Sequence, residues 1–197
     1  MTDADHPVIA GSVLFTDLVG FTEYNEAVGD VEALRVLDEQ RSFVDAHLED
    51  RDDARLVKEI GDGLMIWIGS AIGGLSMATC LLETFAGVHA TGTFPLAVRM
   101  GMHHGESLAR GDDLVGQTVN VAARIADLAG PGELLVSQEL LAACGSTPLG
   151  TSLITTSRAS VWTGRTPAWR SRLIPATTRA KGPSRRWSKP SASSSLR

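Results

Sequence analysis

The chain has 197 residues, 43% of them hydrophobic and 21% charged, with a formal net charge of −5. Residues 1–150 hold 8 Lys/Arg against 23 Asp/Glu, a net −15, while residues 151–197 hold 10 Lys/Arg and no acid. An acidic body argues against nucleic acid as a partner, and no run reaches the ~18 consecutive apolar residues of a membrane span. The opening MTDADHP has no basic stretch ahead of an apolar one, so no secretory signal is expected. Cys80 and Cys144 fall in no metal or redox spacing and read as buried thiols of a reduced, cytoplasmic protein.

In chain order, Gly11–Leu18 is an apolar, β-rich run and reads as a buried strand. Residues 22–29 begin a helix with Thr22 as N-cap, and residues 30–50 continue helically behind Asp30 as a second N-cap. Arg55–Glu59 and Leu64–Ile68 are short strands joined by a tight turn carrying Asp62-Gly63. Residues 71–90 form an apolar helix, Leu96–His104 a strand, and residues 116–129 a helix ended by Gly130-Pro131-Gly132. Glu133–Ser137 is a strand and 138–144 a short helix. Merged, this is an α+β fold, an α/β sandwich with a ferredoxin-like βαββαβ core and helices packed on one face of the sheet. Residues 1–10 read as an N-terminal extension, 11–146 as the domain, and 147–197 as a basic tail. That tail has 17 Ser/Thr, 4 Pro and 3 of the 4 Trp after residue 150, and no strand pattern after Leu149.

Two patterns carry chemistry. Asp17 ends the first strand ahead of the turn Leu18-Val19-Gly20-Phe21-Thr22, and Asp62 lies in the hairpin turn. Neighbouring antiparallel strands can bring two such carboxylates to one edge, where a divalent cation relieves their repulsion. The strand-to-helix turn offers amides near a helix N-terminus, where phosphate is favoured. On pattern alone, Asp17 reads more readily as a turn or cap residue and Asp62 as a hairpin-turn residue than either does as a ligand. Asn120 and Arg124 are i and i+4 on one helix, a donor pair suited to an anionic oxygen, or else a surface arginine with a local contact. His103-His104 lacks partner ligands and reads as structural, and Trp67 reads as core.

Together the motifs resemble the class III nucleotide cyclase catalytic domain: VLFTDLVGFT (13–22), LVKEIGDGLMIWI (56–68), LAVRMGMHHG (96–105), GQTVNVAARI (116–125) and PGELLVS (131–137). They run in the family's order over about residues 10–145. The resemblance implies an adenylyl cyclase that converts ATP to 3′,5′-cyclic AMP and pyrophosphate at a head-to-tail homodimer interface, with two Mg²⁺ or Mn²⁺ ions per site. It implies Asp17, Asp62 and the Leu18 carbonyl as metal ligands, and Val19, Gly20, Phe21, Thr22 and Arg99 as phosphate contacts. Lys58 and Asp113 match the adenine-reading pair, Asn120 the ribose-orienting residue, and Arg124 the residue that stabilises charge on the reacting phosphate.

Two departures from the family pattern stand out. The stretch ESLARGDDLV between Gly105 and Gly116 is short where many members carry a longer arm. Lys181-Gly182 is the sole Lys-Gly pair, and it lies farther from Arg124 than the family's triphosphate lysine would. The alternative reading is a catalytically weak or inactive cyclase-like domain that binds nucleotide or regulates.

Overall fold

The apolar run near the N-terminus becomes the centre of a sheet. In this computed structural model, residues 6–145 and 159–162 are described, all within a unit spanning Met1–Thr166. β1 (Val8–Leu18) pairs antiparallel with β3 (Gly63–Ile68) on one side and with β4 (Val98–Arg110) on the other. The remaining elements are α1 (Phe21–Val28), α2 (Asp30–Leu48), β2 (Ala54–Ile60), α3 (Ala71–Ala90), β5 (Asp113–Val115), α4 (Gln117–Leu128), β6 (Leu134–Ser137), α5 (Gln138–Cys144) and β7 (Ala159–Trp162). The sheet order is β2-β3-β1-β4-β6-β7, with β5 paired to the far end of β4. The antiparallel quartet β2-β3-β1-β4 is the ferredoxin-like core, and β6 and β7 extend it in parallel.

Alternation along the strands sorts the side chains onto two faces. Leu14, Ile66, Met100, Met102 and Val136 join residues of α2, α3 and α5 in the main core. There the rings of Phe43, Phe85 and Phe94 pack with centroids 5.5–6.0 Å apart. By length and composition α3 could cross a membrane, but its Leu75, Ala78, Leu81, Leu82 and Phe85 are buried in this core. Val13 and Met65, with Phe15 and Trp67, face the other way, towards Leu114 and Ala122. The expectation of helices on one face is therefore corrected: α4 lies on the opposite face. Its backbone rests directly on β4 because Gly101 has no side chain; a Cβ there would stand 2.0 Å from the Ala126 amide nitrogen.

Local differences from the expected elements have physical causes. α1 begins at Phe21 behind Gly20, which adopts φ 79°, so Thr22 lies inside the helix rather than capping it. α2 is capped by Gly29, and Asp30 becomes its first residue, where an acid still favours the helix dipole. The short stretch between Gly105 and Gly116 is not a plain linker. β4 runs on to Arg110, turns through Gly111 at φ 61°, and returns as β5. β7 corrects the expectation that no strand follows Leu149; its four residues pair with β6 across Leu134–Ser137. Cys144 is buried as expected, but Cys80 is exposed.

His103 and His104 also have structural partners. His103 Nδ1 lies 2.8 Å from Ser137 Oγ, and His104 Nδ1 lies 2.9 Å from Ser12 Oγ. Burial pushes both imidazoles below their ordinary range, partly offset at His103 by Glu139, whose carboxylate stands 3.8 Å away. The fold thus favours neutral rings. Their contribution is fully present above the unfolded value of about 6.5 and is lost as pH falls below it towards the lower folded values. Stability measured by denaturant melts is expected to drop between pH 7 and pH 5, with a shallower slope in the His103→Asn/His104→Asn double variant. An unchanged slope would place the titrating groups elsewhere.

Candidate active site

Asp17, next to last in β1, stands directly opposite Arg99 on β4. Arg99 Nε donates to Asp17 Oδ2 at 2.6 Å, and Nη1 donates to the Asp127 carbonyl at 3.2 Å. The guanidinium therefore holds the carboxylate between β4 and the end of α4. Asp62 occupies the turn between β2 and β3. Because β3 neighbours β1, that turn reaches the end of β1, and Asp62 Oδ2 accepts from the Leu18 amide at 3.3 Å. Burial, and then the negative charge of Asp17, push the Asp62 carboxyl above the usual carboxylate range; the Leu18 amide and Arg99 pull it back.

Two mutually repelling, half-buried carboxylates make a hard-oxygen donor set with the chemistry a divalent cation relieves. Among the described residues no group of three or more His, Cys, Asp or Glu is gathered for a metal. The neighbouring turn gives a divided answer for phosphate. The N-terminus of α1 has no side-chain cap, which leaves its first-turn amides open. The Val19 amide, however, is engaged with the Ala97 carbonyl at 2.9 Å.

Lys58 reaches the site through an irregularity. Arg55 pairs with Trp67 and Lys58 with Met65, with a β-bulge between Leu56 and Lys58. Strict alternation would send Arg55 and Lys58 to opposite faces; the extra residue turns Lys58 onto the face that carries α4. There Lys58 Nζ lies 2.7 Å from Asp113 Oδ1 and 2.8 Å from Oδ2. The hydrogen bond from Lys58 holds the Asp113 carboxyl below its ordinary range. The pair is 36% and 40% exposed, and such ion pairs are worth only about 0.2–1 kcal/mol. A ligand with matching donors and acceptors can replace it at little cost.

A cavity of about 330 Å³ joins these groups, lined by Asp17, Lys58, Val119, Asn120, Ala123 and Asp127 among others. The structure thus brings Asp17, Lys58 and Asn120 to one space, with Asp113 attached through Lys58 and with Leu18, Asp62 and Arg99 attached through Asp17. It leaves Arg124 outside: that side chain is exposed, does not line the cavity, and has no hydrogen bond or ion pair among the described residues. Lys181 lies outside the described residues. Sequence reasoning missed Asp127, whose carbonyl fixes Arg99, and Arg55, whose Nη1 donates to the Asp112 carbonyl at 2.7 Å. The one sequence signal for Arg55 was its place on the strand that carries Lys58.

Residues 6–158 match the family model described as the adenylate and guanylate cyclase catalytic domain. An adenylate cyclase of Streptomyces coelicolor is 34% identical over 125 residues, 64% of this chain and 32% of that protein. A pH-sensitive adenylate cyclase of Mycobacterium tuberculosis is 32% identical over 137 residues, 70% of this chain and 33% of that protein. The chain spans about a third or less of the length of the curated relatives it matches. Among solved structures, the adenylyl cyclase CyaB from P. aeruginosa superimposes with a TM-score of 0.61 at 21% identity, covering 77% of this chain and 83% of that one. The catalytic core of a rhodopsin-guanylyl cyclase with converted specificity, in complex with ATPαS, gives 0.65 at 23% identity, covering 73% and 85%. The solved structures share the fold, and the family match covers well over half of the sequence: the chain belongs to the adenylate and guanylate cyclase catalytic domain family.

Proposed function

We propose that the chain is an adenylyl cyclase that converts ATP to 3′,5′-cyclic AMP and pyrophosphate in a cytoplasmic setting. The observation that carries this reading is the Lys58–Asp113 pair, set at the cavity that Asp17 also lines. Adenine presents an acceptor at N1 and a donor at N6, so Lys58 donates to the first and Asp113 accepts from the second. Guanine presents a donor and an acceptor at the same two places, and both contacts would fail.

The remaining roles follow from position. Asn120 reaches the cavity from α4 and orients the ribose by hydrogen bonding. The open amides at the start of α1, those of Phe21 and Thr22 in the turn Val19–Thr22, take phosphate oxygens, and Arg99 keeps the Asp17 carboxylate in place. Asp17 and Asp62, with the Leu18 carbonyl, are the residues that would hold Mg²⁺ or Mn²⁺; bound there, the ions neutralise triphosphate charge and make the 3′-hydroxyl more acidic. The ribose 3′-oxygen attacks the α-phosphorus, the bond to the bridging oxygen breaks, pyrophosphate leaves and the hydroxyl proton is released. Negative charge grows on the α-phosphate oxygens during this step, and a guanidinium there stabilises it. Arg124 supplies that guanidinium from a second copy of the chain. Its exposure, its lack of a partner among the described residues and its place outside the cavity holding its own Asp17 all support a site shared across a head-to-tail homodimer.

Purified protein supplied with ATP or GTP and either metal is expected to yield cyclic AMP and little cyclic GMP. Lys58→Glu combined with Asp113→Cys is expected to abolish the preference in kcat/KM, a change of about 10²-fold or more. Absence of cyclic AMP from folded dimer with either metal would leave a nucleotide-binding domain without turnover.

A further inference from the structure

We infer that Arg55 is a positioning residue for base selection: it clamps the turn of the β4–β5 arm so that Asp113 stands opposite Lys58. This rests on the adenylyl cyclase reading and extends it to a residue that precedes the matching motif at 56–68.

β2 and β5 are not partners in the sheet; β3, β1 and β4 lie between them. They meet all the same: Val57 and Leu114 share one apolar cluster, and among the described residues two polar side-chain contacts join β2 to the β4–β5 hairpin. One is the Lys58–Asp113 pair, and the other runs from Arg55 Nη1 to the Asp112 carbonyl at 2.7 Å. Both start from β2, on either side of the bulge between Leu56 and Lys58. The bulge is what gives Arg55 and Lys58 the same face, so one irregularity aims both cations at the arm.

The two contacts differ in what a nucleotide does to them. Adenine has to enter between Lys58 and Asp113, so that link is lost when the base is read. Leu114 anchors β5 in the apolar cluster with Val13, Met65 and Ala122, whereas Arg110, Gly111 and Asp112 of the turn ahead of it are exposed. β5 is three residues long, and its ladder to β4 covers only Leu108↔Val115, Ala109↔Leu114 and Arg110↔Asp113. Arg55 grips a neutral backbone carbonyl one residue before Asp113, where an incoming base offers no competing group. A cationic donor also makes the stronger kind of hydrogen bond. The arm therefore keeps its distance from β2 while the reading pair opens, and that fixed spacing is what separates adenine from guanine.

The test uses Arg55→Met, which keeps bulk without donors, and Arg55→Lys, which keeps one donor. In nucleotide-free protein, amide exchange at Leu108–Val115 is expected to quicken in Arg55→Met and to return towards wild type in Arg55→Lys. Binding of 3′-deoxy-ATP and 3′-deoxy-GTP with Mg²⁺ measures base choice without turnover. The binding ratio is expected to fall about five- to tenfold in Arg55→Met, with KM for ATP rising and kcat little changed. Should Arg55→Met melt well below wild type, the same readouts are taken from Arg55→Lys, which is expected to lie between the two. Unchanged exchange at the arm, or an unchanged binding ratio, overturns the clamp. Wild-type protein that makes no cyclic AMP overturns the cyclase reading instead, and the exchange and binding arms still decide the clamp.

Discussion

Mixing Asp17→Asn protein with Arg124→Ala protein is expected to restore about a quarter of wild-type activity after subunit exchange, although neither is active alone. An arginine acting on transferring phosphate is worth about 10³-fold or more in kcat, so its loss leaves almost nothing. Asp17→Asn keeps an acceptor for Arg99 Nε and removes only the charge. If one chain supplies the carboxylates and the other the guanidinium, each pure variant carries two broken sites. A mixed dimer gathers both substitutions into one site and leaves the other intact. Equal mixing makes half the dimers mixed, which gives about one working site in four. The structural basis is the position of Arg124 on α4. Asn120, one turn earlier, lines the cavity with Asp17, while Arg124 is exposed and outside it. Cyclic AMP formation plotted against mixing ratio is expected to peak at equal amounts. A mixture no more active than its components would place Arg124 and Asp17 in the same chain's site, or give Arg124 no part in the chemistry.

The parts of this site that were legible in the sequence are those whose position follows from chain order. Asp17 at a strand end and Asp62 in a hairpin turn become neighbours because β1 and β3 are adjacent, and strand adjacency can be argued from the βαββαβ pattern. Asn120 and Arg124 followed from helical spacing, though the spacing said nothing of which one would reach the cavity. Lys58 was found by resemblance and could not have been placed by alternation, because the bulge after Leu56 shifts its face. The β4–β5 hairpin was hidden by composition: residues 105–116 mix charges and glycines without alternation, and only Gly111-Asp112 marked a turn. β7 was hidden by length. Four residues in a Ser/Thr-rich stretch carry no period, and they become a strand because β6 offers an open edge. Arg55 was invisible for a further reason: its partner is a backbone carbonyl in the β4–β5 turn, with β3, β1 and β4 lying between β2 and β5 in the sheet, so neither spacing nor strand order announces the contact.

The second large effect is expected at Asp62, where stability and activity should move in opposite directions. Asp62→Asn is expected to raise the melting temperature of the metal-free protein while lowering kcat by about 10³-fold or more, since bound metal supplies several kcal/mol of charge stabilisation. The carboxylate is half-buried beside Asp17, and both burial and that neighbour's charge disfavour its ionised form. Asparagine removes the repulsion and keeps an oxygen that can accept from the Leu18 amide, now 3.3 Å from Asp62 Oδ2. The backbone around the turn is thereby preserved, so the loss of activity is not a loss of fold. Thermal melts with and without Mn²⁺ separate the two effects. Wild type is expected to melt higher when the ion is added, because binding relieves the paired charges, and Asp62→Asn is expected to respond much less. A variant that melts below wild type without metal would show that Asp62 is held by favourable contacts rather than strained by its neighbour. One that keeps the full Mn²⁺ response would remove Asp62 from the ligand set and leave Asp17, already tied to Arg99, as the sole carboxylate for the ion.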